Sequence, residues 1–184
     1  MKKVLSVLGV SALILLVTAC GGTDKKESSA VPVADIMDAV KEQIAKDMQE
    51  DFGDDNVLVD GELQGYIEAD FTDKDGEDPM VTMLYERMGL KGEELEEGIV
   101  LMPMMNVNSN EIFILKAKEK AHVESIKEAL DKELAAQITT WEMYLPDQYE
   151  KVENNIIITK GTYLIYITYD DPSAIEKIFN EKVK

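Results

Sequence analysis

The strongest constraint on the fold is the order of apolar runs in the second half of the chain. Residues 99–105 and 111–117 are β-rich runs separated by Asn106-Val107-Asn108-Ser109-Asn110, a string of turn formers. A helix is expected over residues 119–144. Its apolar stripe (Val123, Ile126, Leu130, Leu134, Ile138, Trp141 and Leu145) advances by three or four residues throughout, and Pro146 ends it. Residues 156–159 and 163–168 form a second pair of β-rich runs meeting at Lys160-Gly161, and Asp171-Pro172 opens a last helix. Hairpin-linked strands followed by helices imply an antiparallel sheet. The expected fold is an α+β two-layer sandwich, with a sheet of about four strands and helices packed on one face. Pro103 points to an edge or a bulge in the first of these strands.

Upstream, Ile36, Val40, Ile44 and Met48 mark one face of a helix, with Asp35 as its expected N-cap and Phe52-Gly53 as its end. Residues 57–59 and 65–67 read as short strands, interrupted by Asp60-Gly61. Asp78-Pro79 then starts a short helix that closes at Gly89-Leu90.

The first twenty residues carry a different signal. Lys2 and Lys3 precede an apolar stretch from Val4 to Val17, too short to span a bilayer as a stable helix. Val17-Thr18-Ala19-Cys20 resembles a lipobox, which implies diacylglyceryl transfer to the Cys20 sulfur and cleavage before it. Two acyl chains anchor stably, at ~0.8 kcal/mol per buried methylene. Residues 1–19 therefore read as a lipoprotein signal peptide and 20–33 as a lipidated tether of roughly 20 Å reach. Residues 34–184 read as a single domain. The expected location is the extracytoplasmic face of the cell membrane, with the membrane as partner through the lipid on Cys20.

Composition narrows the activity. Cys20 is the only cysteine, so the domain has no disulfide and no thiolate nucleophile. The net charge is −18, and −20 once Lys2 and Lys3 leave. Such a chain repels nucleic acid and anionic headgroups. One histidine, His122, supports neither a His/Cys metal cluster nor a catalytic triad, and reads as a solvated helix residue. No phosphate loop, nucleophile elbow or zinc motif occurs, and no cofactor is expected.

The remaining candidates are local. Asp70, Asp73, Asp75, Glu77 and Asp78 crowd one loop, but they lack the spacing of a calcium hand and read as a solvated acidic loop. Asn106, Asn108 and Asn110 would share a face if extended, as a row able to hydrogen-bond sugar or peptide groups; asparagines so placed also build turns. Tyr144, Asp147, Gln148 and Tyr149 gather aromatic and polar groups at a helix exit, either as a recognition surface or as a lid over the sheet edge. Met80, Met83, Met88, Met102, Met104 and Met105 suit an adaptable groove or a soft-metal site, but read first as core filling, since methionine packs irregular gaps.

The stretch 104–111, together with Lys116-Ala117-Lys118, residues 144–149 and Thr159-Lys160-Gly161-Thr162-Tyr163, resembles a family of small lipoproteins of low-GC Gram-positive bacteria, known only as a domain of unknown function. The resemblance covers roughly residues 80–169 and the lipobox. It implies a surface lipoprotein without assigned chemistry. The resulting expectation is a non-catalytic binding or scaffolding lipoprotein whose ligand is an envelope protein or small molecule. The competing one is an envelope hydrolase using paired carboxylates, which two acidic side chains of raised pKa in a pocket would favour.

Overall fold

A computed structural model describes residues 30–53, 56–72 and 78–184. The first helix, α1 (Val33–Phe52), presents Ile36, Val40 and Ile44 as the spacing implies, with Val33 and Met37 on the same buried side. Asp35 lies in its first turn rather than at its cap. The Val33 N–H is taken instead by Glu97 Oε2 at 2.7 Å, so a distant carboxylate does the capping. Gly53, at φ +70°, closes the helix in the left-handed conformation.

The two short strands expected between α1 and Asp78 are a small hairpin and one further strand. Strands β1 (Leu58–Val59) and β2 (Glu62–Leu63) pair with each other only, and β3 (Tyr66–Asp70) joins the main sheet. Helix α2 (Pro79–Met88) begins as expected, with the Met80 N–H donating to Asp78 Oδ1 at 2.8 Å. It ends at Gly89, where the Leu90 N–H donates back to the Tyr85 carbonyl. A single 3₁₀ turn at Gly92–Glu94 leads into β4 (Leu95–Pro103), followed by β5 (Glu111–Ala117).

Helix α3 (Val123–Trp141) is shorter than the sequence suggests at both ends: Lys120–His122 form a 3₁₀ turn, and the helix stops at Trp141 rather than at residue 144. Pro146 does not merely stop it. It is the first residue of a further helix, α4 (Pro146–Glu153), where its missing N–H costs nothing. Strands β6 (Ile156–Lys160) and β7 (Tyr163–Thr168) turn through Gly161 at φ +66°. Helix α5 (Pro172–Lys182) is capped by Asp171 Oδ1, which accepts from the Ser173 N–H.

The α+β class and the antiparallel sheet are as the sequence implies, in the order β3-β4-β5-β7-β6. The sheet has five strands because β3 adds an edge. Pro103 is the last residue of the interior strand β4, so its missing N–H falls where the ladder stops. Helices cover both faces rather than one. Ile99, Leu101, Ile112, Ile114, Ile165 and Ile167 face α1 and α5. The alternate residues Val100, Phe113, Leu115, Leu164 and Tyr166 face α2 and α3. All seven residues of β5 are buried, Glu111 and Lys116 included, as a strand covered on both sides requires. The second layer carries an aromatic row, Phe71–Phe113–Tyr166, in edge-to-face contacts. Among the described residues no helix is long and apolar enough to cross a membrane.

Candidate binding groove

The two ends of the sheet differ in what gathers there. At one end the chain enters the fold. The Tyr163 hydroxyl donates to the Val31 carbonyl at 2.7 Å, and Glu97 holds both the Val33 N–H and the Lys116 ammonium. The opposite end carries the β4–β5 turn, the end of α1, the start of β3 and the end of β7. A 20-residue helix such as α1 spans about 30 Å, which separates the two poles.

A groove of about 320 Å³ opens at this far pole, lined among others by Met48, Phe52, Tyr66, Met105, Val107 and Asn110. Through Lys151, Tyr169 and Asp170 it continues into a second hollow of similar size, walled by Asp147, Gln148 and Glu150. Its rim is apolar and open to water: Phe52 is 78% exposed, Met105 69%, Met104 beside it 65%, and Val107 49%. Scattered single apolar residues are ordinary on a surface, whereas several gathered at one cleft mark a contact site.

The floor is polar and already bonded. Asn110 Nδ2 donates to the Tyr66 hydroxyl at 2.9 Å, and Lys151 Nζ donates to Asn110 Oδ1 at 3.3 Å and to Asp170 Oδ2 at 3.0 Å. The Tyr169 hydroxyl donates to Asp47 Oδ2 at 3.0 Å. Burial holds the Tyr66 and Tyr169 phenols above their usual range, and for Tyr169 the Asp47 carboxylate adds to it. Both phenols therefore stay neutral, Tyr66 accepting from Asn110 and Tyr169 donating to Asp47. Behind the floor, buried Ser109 is fastened to α4: its N–H donates to Gln148 Oε1 at 2.9 Å and its hydroxyl to the Gln148 carbonyl at 3.0 Å.

Of the residues singled out in the sequence, Asn108, Asn110, Asp147 and Gln148 meet at this groove. The asparagines form a turn rather than an extended row, since the Asn110 N–H donates to Asn108 Oδ1 at 2.9 Å. Asn106 stays exposed, and neither Tyr144 nor Tyr149 lines the groove; Tyr144 lies against Trp141, ring centres 5.6 Å apart. Reading the methionines as core holds for Met88 and fails for Met83, Met104 and Met105, which are exposed. The rim residues and Lys151 and Asp170 were not among the expected site residues. Their signal was faint: Met104, Met105 and Val107 are apolar residues set among turn formers, where no neighbouring element can bury them.

Cys20 lies outside the described residues, as do Asp73, Asp75 and Glu77 of the acidic loop. Asp70 and Asp78 serve local turns, accepting from Thr72 and Met80. His122 is half-buried, not fully solvated, and its Nδ1 meets no hydrogen-bond partner among the described residues.

One pair of carboxylates does come together. Arg87 donates through Nε and Nη2 to the fully buried Glu133, and its Nη2 stands 3.7 Å from Glu111 Oε1. Gln137 bridges the two acids, at 2.7 Å from Glu133 Oε1 and 3.4 Å from Glu111 Oε1, and receives the Trp141 indole N–H. Burial, and then the like charge of Glu133, hold the Glu111 carboxyl well above the usual carboxylate range, with Arg87 offsetting only part. Neither acid lines the groove or its continuation, and the pair ties α2, α3 and β5 together.

Fold and surface together define an antiparallel α+β domain, covered by helices on both faces, with an open groove at one pole. Residues 69–169 match the family described as a domain of unknown function (DUF4358), more than half of the chain, and the protein belongs to that family. No curated protein and no solved structure matches it. The matched segment supplies half of the groove's lining and, Asp170 apart, all of its continuation. The larger cleft beside the groove, about 760 Å³ between α1 and the β1–β2 hairpin, draws most of its lining from residues before that segment.

Proposed function

We propose that this protein is a lipid-anchored lipoprotein of a bacterial envelope, of the kind found in low-GC Gram-positive bacteria. Its domain binds a partner without catalysis in the groove at the pole away from the anchor. The observation that carries the binding role is the gathering of exposed Phe52, Met105 and Val107 at one cleft. Leaving such surface in water is unfavourable by ~25 cal/mol per Å², which a partner would recover. The anchored half rests on Val17-Thr18-Ala19-Cys20 and the apolar stretch before it. The placement suits both halves, since the chain enters the fold at one end of α1 and the groove lies at the other. With the lipid in the bilayer, the groove would face outward.

The binding half is tested with a photo-cross-linking amino acid placed at position 105, at 107, or at the exposed Glu128 of α3 in the full chain, expressed in its host. Adducts are expected from 105 and 107 and not from 128. Equal yields at all three, or none at 105 and 107, would overturn it. The anchored half predicts that an alkyne fatty acid labels the protein and that Cys20→Ser abolishes the label.

A further inference from the structure

The chemistry left open at the groove points to one class of occupant. Its amides are already engaged: Asn110 is bonded through both ends of its side chain and Asn108 Oδ1 by a backbone N–H. A ligand read mainly through these amides would find them taken, whereas the carboxylates stay open to cationic donors. What remains unengaged is the apolar rim and the charge. Asp51, Asp147, Glu150 and Asp170 line the two hollows against a single ammonium, that of Lys151, which Asp170 and Asn110 already hold. The field over the cleft is therefore negative, and the chain's net charge of −18 extends it outward. Methionine and phenylalanine beside such a field suit an apolar side chain flanked by cations, methionine in particular adapting to varied shapes.

We infer that the groove takes a polypeptide segment of a partner protein that presents a large apolar side chain between lysine or arginine residues. This rests on the binding role proposed above and names its ligand class. Phe52, Met105 and Val107 would seat the apolar side chain, while Asp51, Asp147 and Glu150 would face the cations. An anionic segment would be repelled, and a neutral apolar one would lose the attraction that steers encounter.

The test uses the full chain in non-ionic detergent micelles and three fluorescent nonapeptides, read by anisotropy against protein-free micelles. The first alternates lysine with phenylalanine and leucine, the second replaces each lysine by glutamate, and the third replaces each apolar residue by serine. The first is expected to bind at least tenfold more tightly than either other, and to weaken severalfold as salt rises from about 50 to about 500 mM. Met105→Ser with Val107→Ser should lower its affinity about tenfold, separating the groove from general attraction to an acidic protein. Phe52→Ser provides a second exposed site should that pair misfold. Equal binding of the glutamate peptide, or affinity untouched by both rim variants, would overturn the inference. Cross-linking at 105 and 107 separates the two levels. Adducts there without selective binding of the cationic peptide would reject the ligand class alone, whereas absence of adducts would reject the groove as a binding site.

Discussion

Replacing Glu111 by glutamine should make the protein more stable as the pH rises, and the structure gives the sign and scale. Glu111 is almost wholly buried, its Oε2 has no hydrogen-bond partner among the described residues, and Glu133 lies beside it. Its carboxyl is therefore protonated in the folded state at pH values where the unfolded chain, with a glutamate near pKa ~4.3, has already lost the proton. Between the two pKa values the folded state holds more protons, so stability falls as pH rises. One such group contributes a slope of up to about 1.4 kcal/mol per pH unit, which levels off above the folded pKa. For a chain of this size that is roughly 3 °C per pH unit. Glutamine keeps the shape and never ionises, so this contribution disappears. Thermal melts by circular dichroism at pH 4–8 isolate the effect as the difference between wild type and Glu111→Gln. The stability difference in favour of the variant should widen with pH and then plateau. A difference that stayed constant, or widened toward acid, would refute the claim that burial keeps this group protonated.

Three other substitutions probe the frame of the domain. Gln148→Ala would strip the acceptor from the buried Ser109 N–H and cost about 1–3 kcal/mol by urea denaturation. Gly98→Ala would place a Cβ 2.9 Å from Leu115 Cδ2 and 3.2 Å from Phe71 Cβ, and is expected to lower stability by about 1–3 kcal/mol in the same assay. Tyr163→Phe would free the Val31 carbonyl, and amide exchange in the first turn of α1 should quicken about fivefold while the β5–β7 ladder is unchanged.

What the sequence made legible was chemistry that acts within a few residues. Asp78-Pro79 and Asp171-Pro172 start helices because carboxylate and proline each satisfy the first turn locally. Lys160-Gly161 turns a hairpin because glycine accepts positive φ. Pro146 was legible as the end of one helix and not as the start of the next, because proline serves both and only packing decides whether α4 follows. The second helical layer was written in Ile112-Phe113-Ile114-Leu115, a run too continuous for a one-sided strand, yet such a run does not name the helices that cover it. Half of the groove was visible as unusual local chemistry at Asn108, Asn110, Asp147 and Gln148. The other half, from Phe52 to Asp170, depends on contacts across 118 positions, which no window along the chain contains.

The way the chain enters the fold also decides how the domain would carry a load. Residue 31 is fastened to Tyr163 and residue 33 to Glu97, at the end of the sheet opposite the groove. A pull between the chain's entry point and anything held in the groove would run along the strands, not across them. Ladder bonds lie perpendicular to the strands, so such a force shears the rows of β4, β5 and β7 together instead of opening them one at a time. Tension of that kind would have to break many bonds at once, so the domain is built to transmit a tug between its two ends without unzipping.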